Sequence, residues 1–220
     1  MSALAATVRA DDGLATWIAP ARTALVIIDM QVDFAAPEGR LGQWGVDLST
    51  VPPALEKAQA LADAARKAGA PVVFVGLFTR PETDSISWRE RMRRRGGDPD
   101  SDSGLCRADE VGSDWYGPKP LPGEAVVEKA RYSGFHDAPL DSVLKGLGVD
   151  TLVVAGLTTE CCVDCTVRDA FHLDYHVFVA SDACAAYEAD VHAASLKALE
   201  LNCAILVETD QVITAWEEAA

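Results

Sequence analysis

No stretch of this chain approaches about eighteen consecutive apolar residues, so nothing in it predicts a membrane-spanning helix. The N-terminus, MSALAATVRADD, lacks both the basic start and the apolar core of about 7–15 residues that a secretory signal needs. The expected location is therefore cytoplasmic. Basic residues are scarce, with 19 Lys and Arg facing 34 Asp and Glu for a formal charge of −15. A field of that sign repels phosphate backbones and argues against nucleic acid as the main partner. Internal repeats, low-complexity tracts and linkers are missing. The six cysteines stand at 106, 161, 162, 165, 184 and 203. That spacing is too uneven for a disulfide framework, and it predicts reduced thiols, one of them reactive.

What is present is globular. The chain has 220 residues, 49% of them apolar and 24% charged. A chain of this size buries about 70% of the surface its unfolded form exposes and has room for a substrate cleft. One domain over 1–220 is expected, with residues 1–20 as an N-terminal arm. TALVIID (23–29), PVVFVGLF (71–78), AVVEK (125–129), TLVVAGL (151–157), HVFVASDA (176–183) and CAILVET (203–209) read as strands. Residues 52–69 begin with proline, end with glycine and carry apolar side chains at helical spacing, so they predict a helix. Helices are also expected over 138–147, 161–174, 189–201 and the C-terminus. Strands apolar on both faces belong to a parallel sheet covered by helices. The fold class is therefore α/β, a three-layer α/β/α sandwich with a mostly parallel, doubly wound sheet. Segment 79–122 is too long for an ordinary connection and predicts a lid, a binding loop or an interface arm.

In such sheets ligands bind beyond the carboxyl ends of the strands. Asp29 ends the first strand, Lys129 ends AVVEK, and Cys162 starts the helix after TLVVAGL. An acid, a base and a thiol thus converge on one rim by position. A helix N-terminus and a nearby ammonium both favour thiolate at Cys162. Each residue also has a plainer reading: Cys162 as a small packing hydrophobe, Asp29 as a cap or salt-bridge partner, Lys129 as an ordinary strand end. The C-x-x-C of Cys162 and Cys165, with Cys161 alongside, leaves thiol-redox chemistry as an alternative.

Three blocks carry a resemblance: IIDMQVDF (27–34), EKARYSGF (128–135) and AGLTTECCVDCTVRDA (155–170). In order and spacing they resemble the signature blocks of the isochorismatase-like cysteine hydrolase superfamily. KARYSGF followed by PLDSVL is most similar to the group of ureidoacrylate amidohydrolase, biuret hydrolase and N-carbamoylsarcosine amidase. The resemblance implies a catalytic triad of Asp29, Lys129 and Cys162. It also implies a cis peptide between Leu157 and Thr158, and an oxyanion hole built from the N–H groups of Thr158 and Cys162. The implied activity is cysteine-dependent cleavage of a C–N bond in a small amide or ureide, with ammonia released and no cofactor. A non-amide substrate of the isochorismatase type, and a catalytically silent scaffold, are the other readings. Relatives of this kind are commonly dimers or tetramers, so a homo-oligomer is expected.

Nicotinamidases of this superfamily carry an Asp/His metal cluster after the second strand. Here GLFTRPETDSISW (76–88) contains no histidine, so no metal site is expected. His172 and His176 have metal-pair spacing, but one is expected to end a helix and the other to open a strand. His136 falls seven residues after Lys129, within reach of the cleft. Aromatic walls suit small planar amides, and Phe34, Trp88, Tyr132 and Phe135 are the candidates. RERMRRR (89–95) sets five arginines into an acidic protein. It is either a solvated helix face or a clamp for a substrate carboxylate through Arg91 or Arg94.

Overall fold

The computed structural model describes residues 13–102 and 104–219. Among them six strands form one sheet: β1 (Thr23–Ile28), β2 (Val72–Leu77), β3 (Ala125–Lys129), β4 (Thr151–Leu157), β5 (His176–Ala185) and β6 (Ile205–Val207). Every pairing is parallel, in the order β3-β2-β1-β4-β5-β6. All residues of β1, β2 and β4 are buried, as expected for strands covered on both faces. β3 alternates instead, with Val126 and Glu128 turned to solvent, because it is an edge.

The helices of eight residues or more among the described residues are α1 (Val51–Ala68), α2 (Ile86–Arg94), α3 (Leu140–Leu147), α4 (Asp164–His172), α5 (Ala189–Asn202) and α6 (Thr209–Glu218). α1 has prolines in its first turn, where the missing N–H costs nothing, and stops at Gly69 in the left-handed region. Its buried Ala54, Leu55, Ala58, Leu61 and Ala65 form one stripe. That stripe joins Phe74 and Trp216 in a core on one face of the sheet. Leu140 and Leu144 of α3, Val167 of α4 and Leu199 of α5 build a second core on the other face. Two cores separated by one sheet make the three layers.

Some boundaries depart from the sequence reading. β6 keeps only three residues, because Cys203 caps α5 and a Glu208–Gln211 capping box starts α6. The helix expected from 161 begins as a π turn, Thr159–Val163, before α4. Residues 1–12 of the expected arm lie outside the described residues. From Leu14 onward the segment is docked, since Ile18 is fully buried and its carbonyl accepts from Trp216 Nε1 at 2.8 Å. Segment 79–122 contains α2 and a helical turn at Pro99–Asp102.

Successive strands step outward from β1 in one direction and from β4 in the other, so a crevice opens between the ends of β1 and β4. The two backbones nearly touch there. A Cβ on Gly156 would sit 2.3 Å from the Ile28 carbonyl oxygen, and its φ of +144° is barred to other residues. Gly156→Ala should therefore lower stability by at least about 2 kcal/mol. Urea denaturation should show an earlier midpoint with an unchanged slope.

Candidate active site

The three side chains expected on this rim meet there. Asp29 follows β1 with φ +50°, held by its N–H to the Val75 carbonyl at 2.8 Å. Lys129 ends β3, and its side chain is fully buried. Its Nζ reaches three acceptors: Asp29 Oδ2 at 2.7 Å, the Arg131 carbonyl at 3.1 Å and Cys162 Sγ at 3.6 Å. All three protons of the ammonium thus have a partner. The second carboxylate oxygen, Asp29 Oδ1, is buried with no hydrogen-bond partner among the described residues. Cys162, buried in the π turn, shares the Lys129 ammonium with Asp29 and is close enough to act on its carboxyl.

Burial dominates the electrostatics. It pushes the Asp29 carboxyl above its ordinary 3.8, against the Lys129 charge and the nearby Cys162 thiol. Burial works against the Lys129 ammonium too, but Asp29 and the Cys162 sulfur outweigh it and hold Lys129 above the usual lysine range. Contact with the Cys161 sulfur, burial and the Asp29 charge raise the Cys162 thiol well above 9.0, and Lys129 only partly opposes them. These contributions run against the thiolate that the helix N-terminus and the ammonium favour. In a site this dry, a thiol beside a carboxylate keeps its proton until a base removes it.

Backbone geometry sets the thiol in place. The Leu157–Thr158 peptide is cis, and the π turn follows directly. The Cys162 carbonyl accepts from Thr166 Oγ1 at 2.7 Å. That oxygen in turn accepts from Gly134 N–H at 3.1 Å, which ties the thiol's turn to the loop after Lys129. Gly134 has no room for a side chain, since a Cβ would lie 2.8 Å from Leu140 Cδ2.

A cavity of about 590 Å³ opens above these groups, with Asp29, Thr158, Cys161 and Cys162 on its wall. Phe34, Trp88 and Tyr132 line it, as expected, and so do Arg91 and His136. Phe135 does not: its ring packs on Tyr175, 5.9 Å between centroids, in the lower core. Arg94 points away and pairs with Glu90 at 2.9 Å. Cys161, Arg131 and Tyr187 also line the cavity and were missed from sequence. Tyr187 carried no motif, but its hydroxyl donates to the Phe34 carbonyl at 2.9 Å and bridges two walls. A second cavity of about 490 Å³ sits at the far end of β5 and β6 and contains none of the three central groups.

Segment 79–122 forms one side of the cavity and is fastened at its base. Gln31 is fully buried, donating to the Leu77 and Ser113 carbonyls and accepting from Leu77 N–H. Asp33 accepts from Cys106 N–H at 2.6 Å and Arg40 N–H at 3.1 Å. Arg107 grips Asp84 in a bidentate pair at 2.7 and 2.8 Å. Among the described residues, no group of three or more His, Cys, Asp or Glu is placed to hold a metal ion. His172 ends α4 and His176 opens β5, as anticipated. None of the described helices is long and apolar enough to cross a membrane.

Comparison with known proteins places the fold in a family. Residues 23–211 match the isochorismatase domain, and the chain belongs to that family. It is 37% identical over 183 residues to ureidoacrylate amidohydrolase RutB of Pseudomonas savastanoi pv. phaseolicola, covering 74% of this chain and 71% of that protein. RutB of Methylorubrum extorquens is 38% identical over 176 residues, covering 73% and 68%. Among solved structures, a cysteine hydrolase from Pseudomonas syringae pv. phaseolicola superposes with a TM-score of 0.81 at 28% identity, covering 93% and 96% of the two chains. N-carbamoylsarcosine amidase from Thermoplasma acidophilum gives 0.68 at 27%, covering 86% and 97%.

Removing one partner of the buried pair tests its electrostatics. Lys129→Met strands the Asp29 carboxylate in a dry site and should cost about 3–5 kcal/mol at neutral pH. The carboxyl, already above 3.8, would rise further, and its neutral form is tolerated. The deficit in chemical denaturation should therefore shrink as pH falls toward 4, relative to the parent protein at the same pH.

Proposed function

We propose that this chain is an amidohydrolase that opens a C–N bond of a small amide or ureide by attack of Cys162. The observation that carries this reading is the division of labour at Asp29. One oxygen is held by Lys129, while the other has no hydrogen bond of good geometry and the buried thiol is near enough to act on the carboxyl. A carboxylate lifted by burial takes the thiol proton more readily than an ordinary one. Lys129 then stabilises the thiolate it touches. The thiolate attacks the carbonyl carbon, and the N–H groups of Thr158 and Cys162 receive the developing oxyanion. Protonated Asp29 gives its proton to the departing nitrogen, and ammonia leaves. Water deprotonated by Asp29 then hydrolyses the thioester and regenerates the thiol.

The cavity favours an anionic substrate. Asp29 is balanced by Lys129, and Asp84 by Arg107 with Arg89 nearby. Arg91 and Arg131 line the same space without pairing with a carboxylate among the described residues, although one Arg131 nitrogen already donates to the Thr83 and Ala130 carbonyls. A guanidinium surplus inside a protein of net charge −15 selects for a carboxylate at the end of the substrate away from the scissile bond. Ureidoacrylate, the compound in the relatives' name, is such an anion.

Ammonia release should be measured with ureidoacrylate, biuret, N-carbamoylsarcosine and nicotinamide. At least one should be hydrolysed, iodoacetamide should abolish turnover, and Cys162→Ala should lower it by more than about 10⁴-fold. Cys165→Ala should keep most of the rate. Ammonia release that survives alkylation would end the cysteine mechanism. Arg91→Ala should raise KM for acidic substrates about 10–100-fold and spare neutral ones, the loss of a charge-assisted pair. Arg94→Ala, on the outer face, should change neither.

A further inference from the structure

The π turn that carries Cys162 is pinned at two points. One is Thr166, which holds the Cys162 carbonyl from the Lys129 side. The other is Thr159, the first residue of the turn and fully buried. The Thr159 hydroxyl makes one side-chain hydrogen bond among the described residues, to His192 Nδ1 at 2.8 Å. His192 sits in the first turn of α5, with its own N–H on the Glu188 carbonyl at 3.0 Å. A rigid helix thereby reaches the residue that follows the cis peptide. Its imidazole is half-buried, and burial keeps it below the ordinary 6.5 against the Glu160 charge, so the ring facing Thr159 is neutral near pH 7.

We propose that His192 is a positioning residue: through Thr159 it fixes the turn that aims the Cys162 sulfur and the adjacent backbone N–H groups. The proposal rests on the reading that Cys162 reacts, but it assigns a role to a residue outside the cavity wall. Loss of the bond leaves the Thr159 hydroxyl buried without a partner and lets the turn drift. Displacements of this order at a reacting atom cost about tenfold to a hundredfold in rate.

The test compares His192→Phe, which fills the ring's volume without a hydrogen bond, with His192→Asn, whose carboxamide can still meet Thr159. Three quantities are read: kcat, KM, and the rate of Cys162 alkylation by iodoacetamide followed by intact mass. His192→Phe should lower kcat and the alkylation rate about tenfold or more, with KM within about twofold. His192→Asn should keep both rates within about threefold. Thr159→Val should match His192→Phe, and combining the two should add little further loss. Wild-type rates in His192→Phe would overturn the proposal. So would a double variant that loses the product of the two single effects. If His192→Phe does not fold, Thr159→Val and His192→Asn carry the same comparison. Alkylation that depends on His192 in a protein that releases no ammonia would sink the hydrolase reading and leave this one standing. Normal hydrolysis in His192→Phe would do the reverse.

Discussion

The contact between the Lys129 ammonium and the Asp29 carboxylate is the constraint around which the rest is arranged. Neither charge is tolerable alone in so dry a place, and each makes the other bearable. Hydrophobic residues of equal volume would pack there at no electrostatic penalty. Stability alone therefore does not explain the pair, whereas the proposed role of Asp29 as proton acceptor for the thiol would. The geometry demands a particular sheet. Lys129 comes from an edge strand and must reach past the end of β2, which pairs with it at Leu77. Asp29 and Cys162 come from the two strands that flank the crevice. An order of strands that separated β1 from β4 would leave the acid and the sulfur apart.

A single octapeptide, IIDMQVDF, shows how closely the chemistry and the scaffold are written together. Asp29, Gln31 and Asp33 alternate along it, and all three are buried. The first faces the thiol. The second stitches β1 to β2 and to the loop at Ser113. The third binds the backbone at Cys106 and Arg40. A purely apolar strand end could satisfy neither the orphan main-chain groups of the cover nor the ammonium.

Much of this was legible from sequence, for a physical reason. Runs such as TALVII and TLVVAGL cannot be half-exposed, so they imply a sheet covered on both sides, and the rule for carboxyl ends then places Asp29, Lys129 and Cys162 on one rim. What failed depended on contacts between distant residues. CAILVET looked like a long strand, but Glu208 and Gln211 cap a helix inside it. Phe135 looked like a pocket wall, but Tyr175 drew it into the core. The helix-terminus argument for a thiolate was sound as far as it went, and was outweighed by burial and by the Asp29 charge, neither of which the motif states. His192 carried no signal at all, since its meaning comes only from a helix folding back over Thr159.

The cover over the cavity is tied down mainly by main-chain bonds to Gln31 and Asp33 and by the Arg107–Asp84 pair. Trp88 and Arg91 hang from that frame without taking part in fastening it. The inner surface can accordingly be rewritten while the anchoring bonds and the Asp29–Lys129–Cys162 floor stay as they are. On the proposed reading, recognition and reactivity occupy different pieces of chain, an arrangement that lets one chemical engine serve many molecules by exchanging only its roof.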